Sequence, residues 1–253
     1  MPCNPAQATA MPLKRLLLLP VSLAMVALAT DWLPAKMGVP LACALILLLA
    51  WQRTRVRQAG GTGAVILCVV AAFVCSAAGD YFLSNMSAQP AYFVIGIALY
   101  LLAHQGYLGY GWCSGRLNRR WLTVLLLIYL PYGLLVLKPA IADPLLLLAV
   151  MGYLLVSCLV LAVAGGSTLS KPARGLFTLG IGLIVASDTI ISFTEFLQFR
   201  ALDWLILPTY YLAHLCITCA VLSLLAHQPS ASPPAARERM PDTGIPHDDA
   251  AES

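Results

Sequence analysis

Charge is what this chain has least of. Only 10% of its 253 residues are Asp, Glu, Lys or Arg, where soluble domains carry roughly a quarter. With 60% hydrophobic residues and a mean hydropathy of +0.83, the chain is neither an ordinary soluble domain nor a disordered one. Its net charge of +4 and apolar composition also exclude a nucleic-acid binder. Long polar segments are missing as well, so no soluble catalytic domain can be drawn outside the apolar runs. Histidine is scarce, at 4 residues, and only His104 and His214 fall in apolar runs, which argues against a three-His zinc site. Cysteine is not scarce, but most of the 8 lie in apolar runs, where Cys behaves as a small hydrophobe. Cys216 and Cys219 form a C-x-x-C pair inside such a run, without the four converging ligands that zinc normally takes.

What remains is hydrophobic length. Eight apolar runs cover roughly residues 16–33, 37–52, 63–84, 91–113, 121–137, 144–164, 174–196 and 204–226. Each approaches the ~20 residues that a spanning helix needs. Helices are the sensible reading, because backbone groups in lipid must be paired within the segment. The expected fold is therefore all-α, a polytopic membrane protein built as a bundle of eight transmembrane helices. Residues 1–15 are expected as a cytoplasmic N-terminal segment, 16–226 as the membrane domain, and 227–253 as a disordered cytoplasmic tail rich in Ser, Pro, Ala and charge. Lys14, Arg15 and the stretch ending Ala27-Leu28-Ala29 also have the form of a signal peptide. Retaining this segment keeps the number of spans even and preserves the charge pattern.

With eight spans, Lys14, Arg15, Arg53, Arg55, Arg57, Arg116, Arg119, Arg120, Lys171, Arg174, Arg237 and Arg239 share one side of the membrane. Lys36, Lys138 and Arg200 face the other. The positive-inside rule puts the first group, and both termini, in the cytoplasm. The Ala/Leu-rich chain with short basic loops suggests a bacterial inner membrane. There is also a hint of duplication. Tyr100-Leu101-Leu102-Ala103-His104 resembles Tyr210-Tyr211-Leu212-Ala213-His214, and each follows a helix with a lone Asp, Asp80 or Asp188. Corresponding positions lie 102, 108 and 110 residues apart (36 to 138, 80 to 188, 104 to 214). Such offsets suggest two parallel four-helix repeats.

Few ionisable residues lie within the runs: Asp80, His104, Asp188, His214 and Glu195. A charged side chain at the bilayer centre costs at least about 2.5–3.5 kcal/mol, so such residues usually face a polar cavity or site. At about 1.5 Å per residue, both aspartates fall in the outer half and both histidines near the midplane. Lys36 enters from the outer surface, and Tyr107 and Tyr210 reach the same zone. One polar cluster opening outward fits all of them. The bland alternatives are helix-to-helix hydrogen bonds for the Asp and His residues and interfacial snorkelling for Lys36.

The segments Ser76-Ala77-Ala78-Gly79-Asp80, Gly96 to His104 with Tyr107, Ser187-Asp188 and Tyr210-Tyr211-Leu212-Ala213-His214 resemble, in order and spacing, the YhhN family of lysoplasmalogenases. The resemblance runs from about Lys36 to the end of the eighth run. It implies an eight-helix membrane hydrolase without metal or organic cofactor. Its substrate would be a lysoplasmalogen, a lysophospholipid with a vinyl ether chain. Its products would be a fatty aldehyde and glycerophosphoethanolamine or glycerophosphocholine. Asp80 and Asp188 map onto the family's functional aspartates, and Lys36, His104, Tyr107, Tyr210 and His214 become candidate substrate-binding residues. Two departures are visible: Lys36 is followed by Met37 rather than Pro, and Tyr100 replaces the more usual Phe.

The residues suit that chemistry on their own terms. A vinyl ether hydrolyses when its outer alkene carbon is protonated and the resulting oxocarbenium ion takes up water. The acid must hold its proton near neutral pH, whereas a free Asp ionises at about 3.9. Burial in hydrocarbon and a second carboxyl nearby both favour the protonated form of a carboxyl group. The rival from another class is a proton-coupled transporter or lipid carrier using the same Asp and His residues. A second rival is a metal-dependent lipid amidase. Head-group preference and oligomeric state leave no trace in the sequence.

Overall fold

A computed structural model describes residues 15–54 and 62–226. The N-terminal segment with Lys14, the loop cations Arg55 and Arg57, and the tail with Arg237 and Arg239 lie outside the described residues. The elements are α1 (Leu18–Thr30), α2 (Leu33–Thr54), α3 (Thr62–Ser84), α4 (Pro90–Cys113), α5 (Arg119–Ala140), α6 (Pro144–Gly165), α7 (Lys171–Leu197) and α8 (Asp203–Ala226). Among the described residues the one β pairing is an isolated bridge between Gly115 and Ser167. Seven of these helices, α2 to α8, are long and apolar enough to cross a membrane. That is the character of a multi-pass membrane protein. The first of the eight expected spans is shorter: α1 has 13 residues, about 20 Å at 1.5 Å per residue, against a hydrocarbon core of about 30 Å.

Local chemistry sets the helix ends. α1 stops at Asp31, whose φ of 54° is left-handed and whose N–H donates to the Ala27 carbonyl. Asp is among the few residues that visit this region readily. The chain then reverses within two residues into α2, which starts at Leu33. Lys36, expected just ahead of an apolar run beginning at 37, therefore lies inside α2. Asn118 caps α5 by accepting from the Trp121 N–H, and Asp143 caps α6 by accepting from the N–H groups of Leu145 and Leu146. Within α5, Pro131 is followed by a π-helical stretch, Tyr132–Leu137. A proline removes one ladder donor and crowds the preceding turn, and a π turn is a recognised way for a helix to absorb such an irregularity.

Packing follows the chain order. α1 meets α2, α2 meets α3 and α3 meets α4; in the second half α5 meets α6, α6 meets α7 and α7 meets α8. Three further contacts, α4 with α6, α8 with α2 and α8 with α1, join the halves. The main core includes Leu47, Phe73, Tyr107, Phe177 and Ile217. α5 stays peripheral, with no buried residue over Arg119–Pro131. At one end of the bundle the backbone N–H and hydroxyl of Thr168 both donate to the Ser114 carbonyl at 2.7 Å, tying the loop after α4 to the loop after α6.

Small residues let the paired helices approach closely, as membrane bundles require. A Cβ added at Gly106 of α4 would meet the Cys68 carbonyl oxygen of α3 and lie 2.9 Å from the Ala72 Cβ. One added at Gly180 of α7 would lie 2.7 Å from Ile217 Cγ1 and 3.3 Å from Cys216 Cβ on α8. Overpacking of this kind typically costs about 1–3 kcal/mol. Gly106→Ala is therefore expected to lower the thermal midpoint in detergent. Gly152→Ala, which has nothing within 4 Å of the new Cβ, should match or exceed the parent, since Ala is the better helix former. Equal midpoints for the two variants would contradict the close contact of α3 and α4.

Candidate active site

Two carboxyl groups anchor the site, each from the half of its helix nearer the Lys36 end and each held by a tyrosine from another helix. Asp80 of α3 is buried, and its Oδ1 accepts from the Tyr100 hydroxyl of α4 at 2.5 Å. Tyr210 of α8 faces the same carboxyl group, and its ring packs edge-on against Tyr100 with centroids 6.1 Å apart. Asp188 of α7 accepts at Oδ2 from the Tyr153 hydroxyl of α6 at 2.6 Å. The same oxygen lies 4.0 Å from His104 Nε2 of α4. His104 packs edge-on against Tyr153, with ring centroids 4.8 Å apart.

The histidines share one arrangement. His104 Nδ1 lies 3.0 Å from the Tyr100 carbonyl oxygen, and His214 Nδ1 lies 2.9 Å from that of Tyr210. A carbonyl only accepts, so each Nδ1 is assigned as the N–H donor, and the neutral ring then presents Nε2 as an acceptor. Both Nε2 atoms are buried without a hydrogen-bond partner, as is Asp80 Oδ2.

Most of the residues expected from the sequence converge, in two groups. Asp80, Tyr210 and Lys36 belong to one, because the Lys36 charge is near enough to act on Asp80. Lys36 Nζ is also paired with Asp31 Oδ1 at 2.6 Å, where Asp31 is 79% exposed, so this lysine marks the mouth of the bundle. Asp188 and His104 belong to the other. Tyr107 and His214 are buried beside both groups: Phe73 packs against each, and Tyr107 also touches the His104 ring. Neither has a hydrogen bond to an aspartate. The single outward cluster is thus two tyrosine–aspartate pairs bridged through α4, since Tyr100 serves Asp80 and His104, one turn on, faces Asp188.

A family model described as the YhhN family matches residues 35–221. The chain belongs to the YhhN family. Neither a curated protein nor a solved structure matches it. The family match spans every residue of the site, from Lys36 to His214.

Tyr153 was missed by sequence reasoning. It is the single aromatic residue in α6, nine residues in from Pro144, and Asp188 lies nine residues in from Leu197 at the other end of an antiparallel pair. Equal depth was the available signal. Two cavities meet at this Tyr153–Asp188 pair. The outer one, of about 480 Å³, lies between α4, α6 and α7 beneath Leu83, Phe93 and Phe196. The other, of about 420 Å³, lies between α5, α6 and α7. Asp188 and Tyr153 line both cavities, and Asp80 lines neither. Among the described residues no three His, Cys, Asp or Glu side chains converge as a metal-binding set would.

The pairing has an energetic consequence. Leaving a buried acceptor without its donor costs about 1–3 kcal/mol. Tyr100→Phe should therefore destabilise the protein by about that amount in thermal or denaturant unfolding. Tyr110→Phe removes a fully buried hydroxyl that has no hydrogen-bond partner, and is expected to be neutral or stabilising. A larger loss for Tyr110→Phe than for Tyr100→Phe would refute this account of the site.

Proposed function

We propose that this YhhN-family protein is a lysoplasmalogenase, hydrolysing the vinyl ether bond of a lysophospholipid without metal or organic cofactor. The observation that carries the reading is the placing of Asp188: a carboxyl group held by a phenol, facing a histidine acceptor, at the junction of two apolar cavities. Asp188 is assigned as the acid. Its carboxyl proton passes to the outer alkene carbon of the O–CH=CH unit, and positive charge develops over the ether oxygen and the carbon bound to it. A water adds to that carbon and loses one proton, for which the Asp188 carboxylate and His104 Nε2 are the available acceptors. The resulting hemiacetal loses its hydroxyl proton as its bond to the glycerol oxygen breaks. That oxygen leaves protonated, as the glycerol hydroxyl, beside the fatty aldehyde. Asp80, held by the Tyr100 hydroxyl behind the wall of the outer cavity, is assigned to offset the developing positive charge. Lys36 at the mouth is assigned to the phosphate.

Asp80→Asn and Asp188→Asn keep side-chain shape and remove the carboxyl group. Loss of general acid–base help at Asp188 typically costs about a hundred- to ten-thousand-fold, and loss of a charge-stabilising group at Asp80 about a hundred- to a thousand-fold, so each variant should insert and fold but lose nearly all hydrolysis. The alkyl ether analogue has no alkene to protonate, and is expected to bind competitively and remain uncut by the parent protein. Shape alone could not separate the two chains by more than about 10–200-fold. Purified protein in detergent, with no ion gradient, is incubated with matched vinyl ether, alkyl ether and ester lysolipids. Equal cleavage of the three, or no aldehyde release from any, would overturn the reading; the latter outcome favours a transporter.

We also infer two parallel four-helix repeats in a bacterial inner membrane, with both termini cytoplasmic. Three features support the repeat: the matching order of helix contacts in the two halves, the equivalent His-to-carbonyl contacts one turn apart, and close approaches of Ala72 to Gly106 and of Gly180 to Cys216 at the same 108- and 110-residue offsets. The site then opens to the outer leaflet. A cysteine placed in the Ser84–Pro90 loop of a Cys-free background should react with impermeant thiol reagent from the periplasmic side. Labelling only from the cytoplasmic side would reverse the orientation.

A further inference from the structure

The cavity between α5, α6 and α7 is separate from the mouth at Lys36 and from the Tyr100–Asp80 pair. It shares Val150, Tyr153, Asp188 and Ser192 with the outer cavity, and continues past them to Leu154, Ser157, Cys158 and Val185. Its direction can be read from helical rise. Phe93 and Phe196 of the outer cavity lie within three residues of helix ends on the Lys36 side. Asp188 is about 14 Å below the end of α7, and Cys158 about 21 Å below the start of α6, at 1.5 Å per residue. The second cavity thus spans the level of the reacting group, from Leu137, about 4.5 Å below the end of α5, to Cys158 at its inner end, and its exposed wall is almost wholly carbon.

Its outer wall is a seam held by side chains, two hydroxyl pairs and the Tyr132–Phe193 ring contact. α5 packs on α6 and buries no residue over Arg119–Pro131. It is joined to α7 by side chains: Tyr129 and Thr189 hydroxyls 3.1 Å apart, and Tyr132 and Ser192 hydroxyls 2.7 Å apart. The π-helical stretch from Tyr132 begins beside this seam.

We propose that this cavity is the slot for the single hydrocarbon chain of the lysolipid, entered sideways from the membrane between α5 and α7. The proposal rests on the vinyl ether reading for the identity of the reacting bond. Two observations select a lysolipid chain as occupant. The slot passes the carboxyl group that must reach the first carbons of that chain, and apart from that group and a few hydroxyls its exposed wall is hydrocarbon. Its inner end, at Ser157 and Cys158, then sets how long a chain can be accommodated.

The test uses the intact protein in lipid nanodiscs and an alkyl ether lysophosphoethanolamine with a diazirine at its chain end. This probe is not cut, so it reports binding whether or not the hydrolase reading holds. After illumination, mass spectrometry is expected to place the adduct on α5, α6 or α7 near Tyr129, Cys158 or Val185. Excess unlabelled lysolipid should suppress it, and diacyl phospholipid should not. Adducts on α1 to α4, labelling spread over the outer surface, equal suppression by diacyl lipid, or no saturable labelling would each overturn the slot. Ser157→Leu supplies a second readout, because it shortens the inner end. The kcat/KM ratio of long- to short-chain vinyl ether lysolipids should fall at least about tenfold, the scale on which apolar pockets discriminate. An unchanged ratio in an active, folded variant would also overturn the proposal. Failure of the hydrolase reading shows separately, as absence of aldehyde from every vinyl ether substrate while saturable labelling persists.

Discussion

A carboxyl group placed among hydrocarbon has to find its hydrogen-bond donor inside the protein, and most of this site follows from that requirement. Asp80 takes the Tyr100 hydroxyl and Asp188 takes that of Tyr153. Each pair joins two helices, α3 to α4 and α6 to α7. His104, one turn from Tyr100, brings α4 up to Asp188 as well. A single helix therefore touches both acids, and the α4–α6 contact that joins the two halves of the bundle is also the floor of the site. A shift in how the halves meet would move the acids relative to each other, so the small residues at the helix crossings set the spacing of the acids as well as the packing.

Although they stand at matching positions in the sequence, the two acids do not have matching surroundings. Asp80 is enclosed by two phenols and lines no cavity. Asp188 has one phenol, a histidine acceptor and open space on both sides. An arrangement in which environment separates two like carboxyl groups is the general way of dividing acid and electrostatic work between them. The difference has a simple origin. Tyr100 and Tyr210 both come to the Asp80 side, while Asp188 relies on Tyr153, whose helix contributes no aspartate or histidine.

Much of this was legible in the sequence, and the reasons are specific. Hydrophobic length located α2 to α8, because a helix in lipid has no alternative partner for its backbone. It failed to size α1, where apolar composition continues from residue 16 to 33 but a left-handed Asp31 ends the helix at Thr30. The rarity of ionisable residues in the runs identified Asp80, Asp188 and His104. It could not reveal Tyr153, because a tyrosine in a membrane helix is not rare enough to draw notice until its depth is compared with that of Asp188. Tyr100 looked like a mild change from Phe, yet its hydroxyl is the bond that holds Asp80. Composition also could not show that Lys36 is engaged by Asp31, since an exposed loop acid carries no periodic signal.

The position of the cavities ties the irregularity in α5 to the rest of the molecule. Six helices form the buried core, and a helix packed into it could not yield without exposing the polar centre. α5 is different: its inner face meets α6, and its link to α7 is two hydroxyl pairs and one edge-on ring contact, Tyr132 to Phe193. Placing the deviation from α-helical geometry in this peripheral helix leaves the Tyr–Asp pairs on rigid neighbours, α3, α4, α6 and α7. On the lysoplasmalogenase reading proposed above, the protein has to admit a substrate that is already in the bilayer while holding its acid in place. Separating a loosely held wall from a rigid floor meets both needs, and Asp188, at the boundary between them, is the group that must work with each.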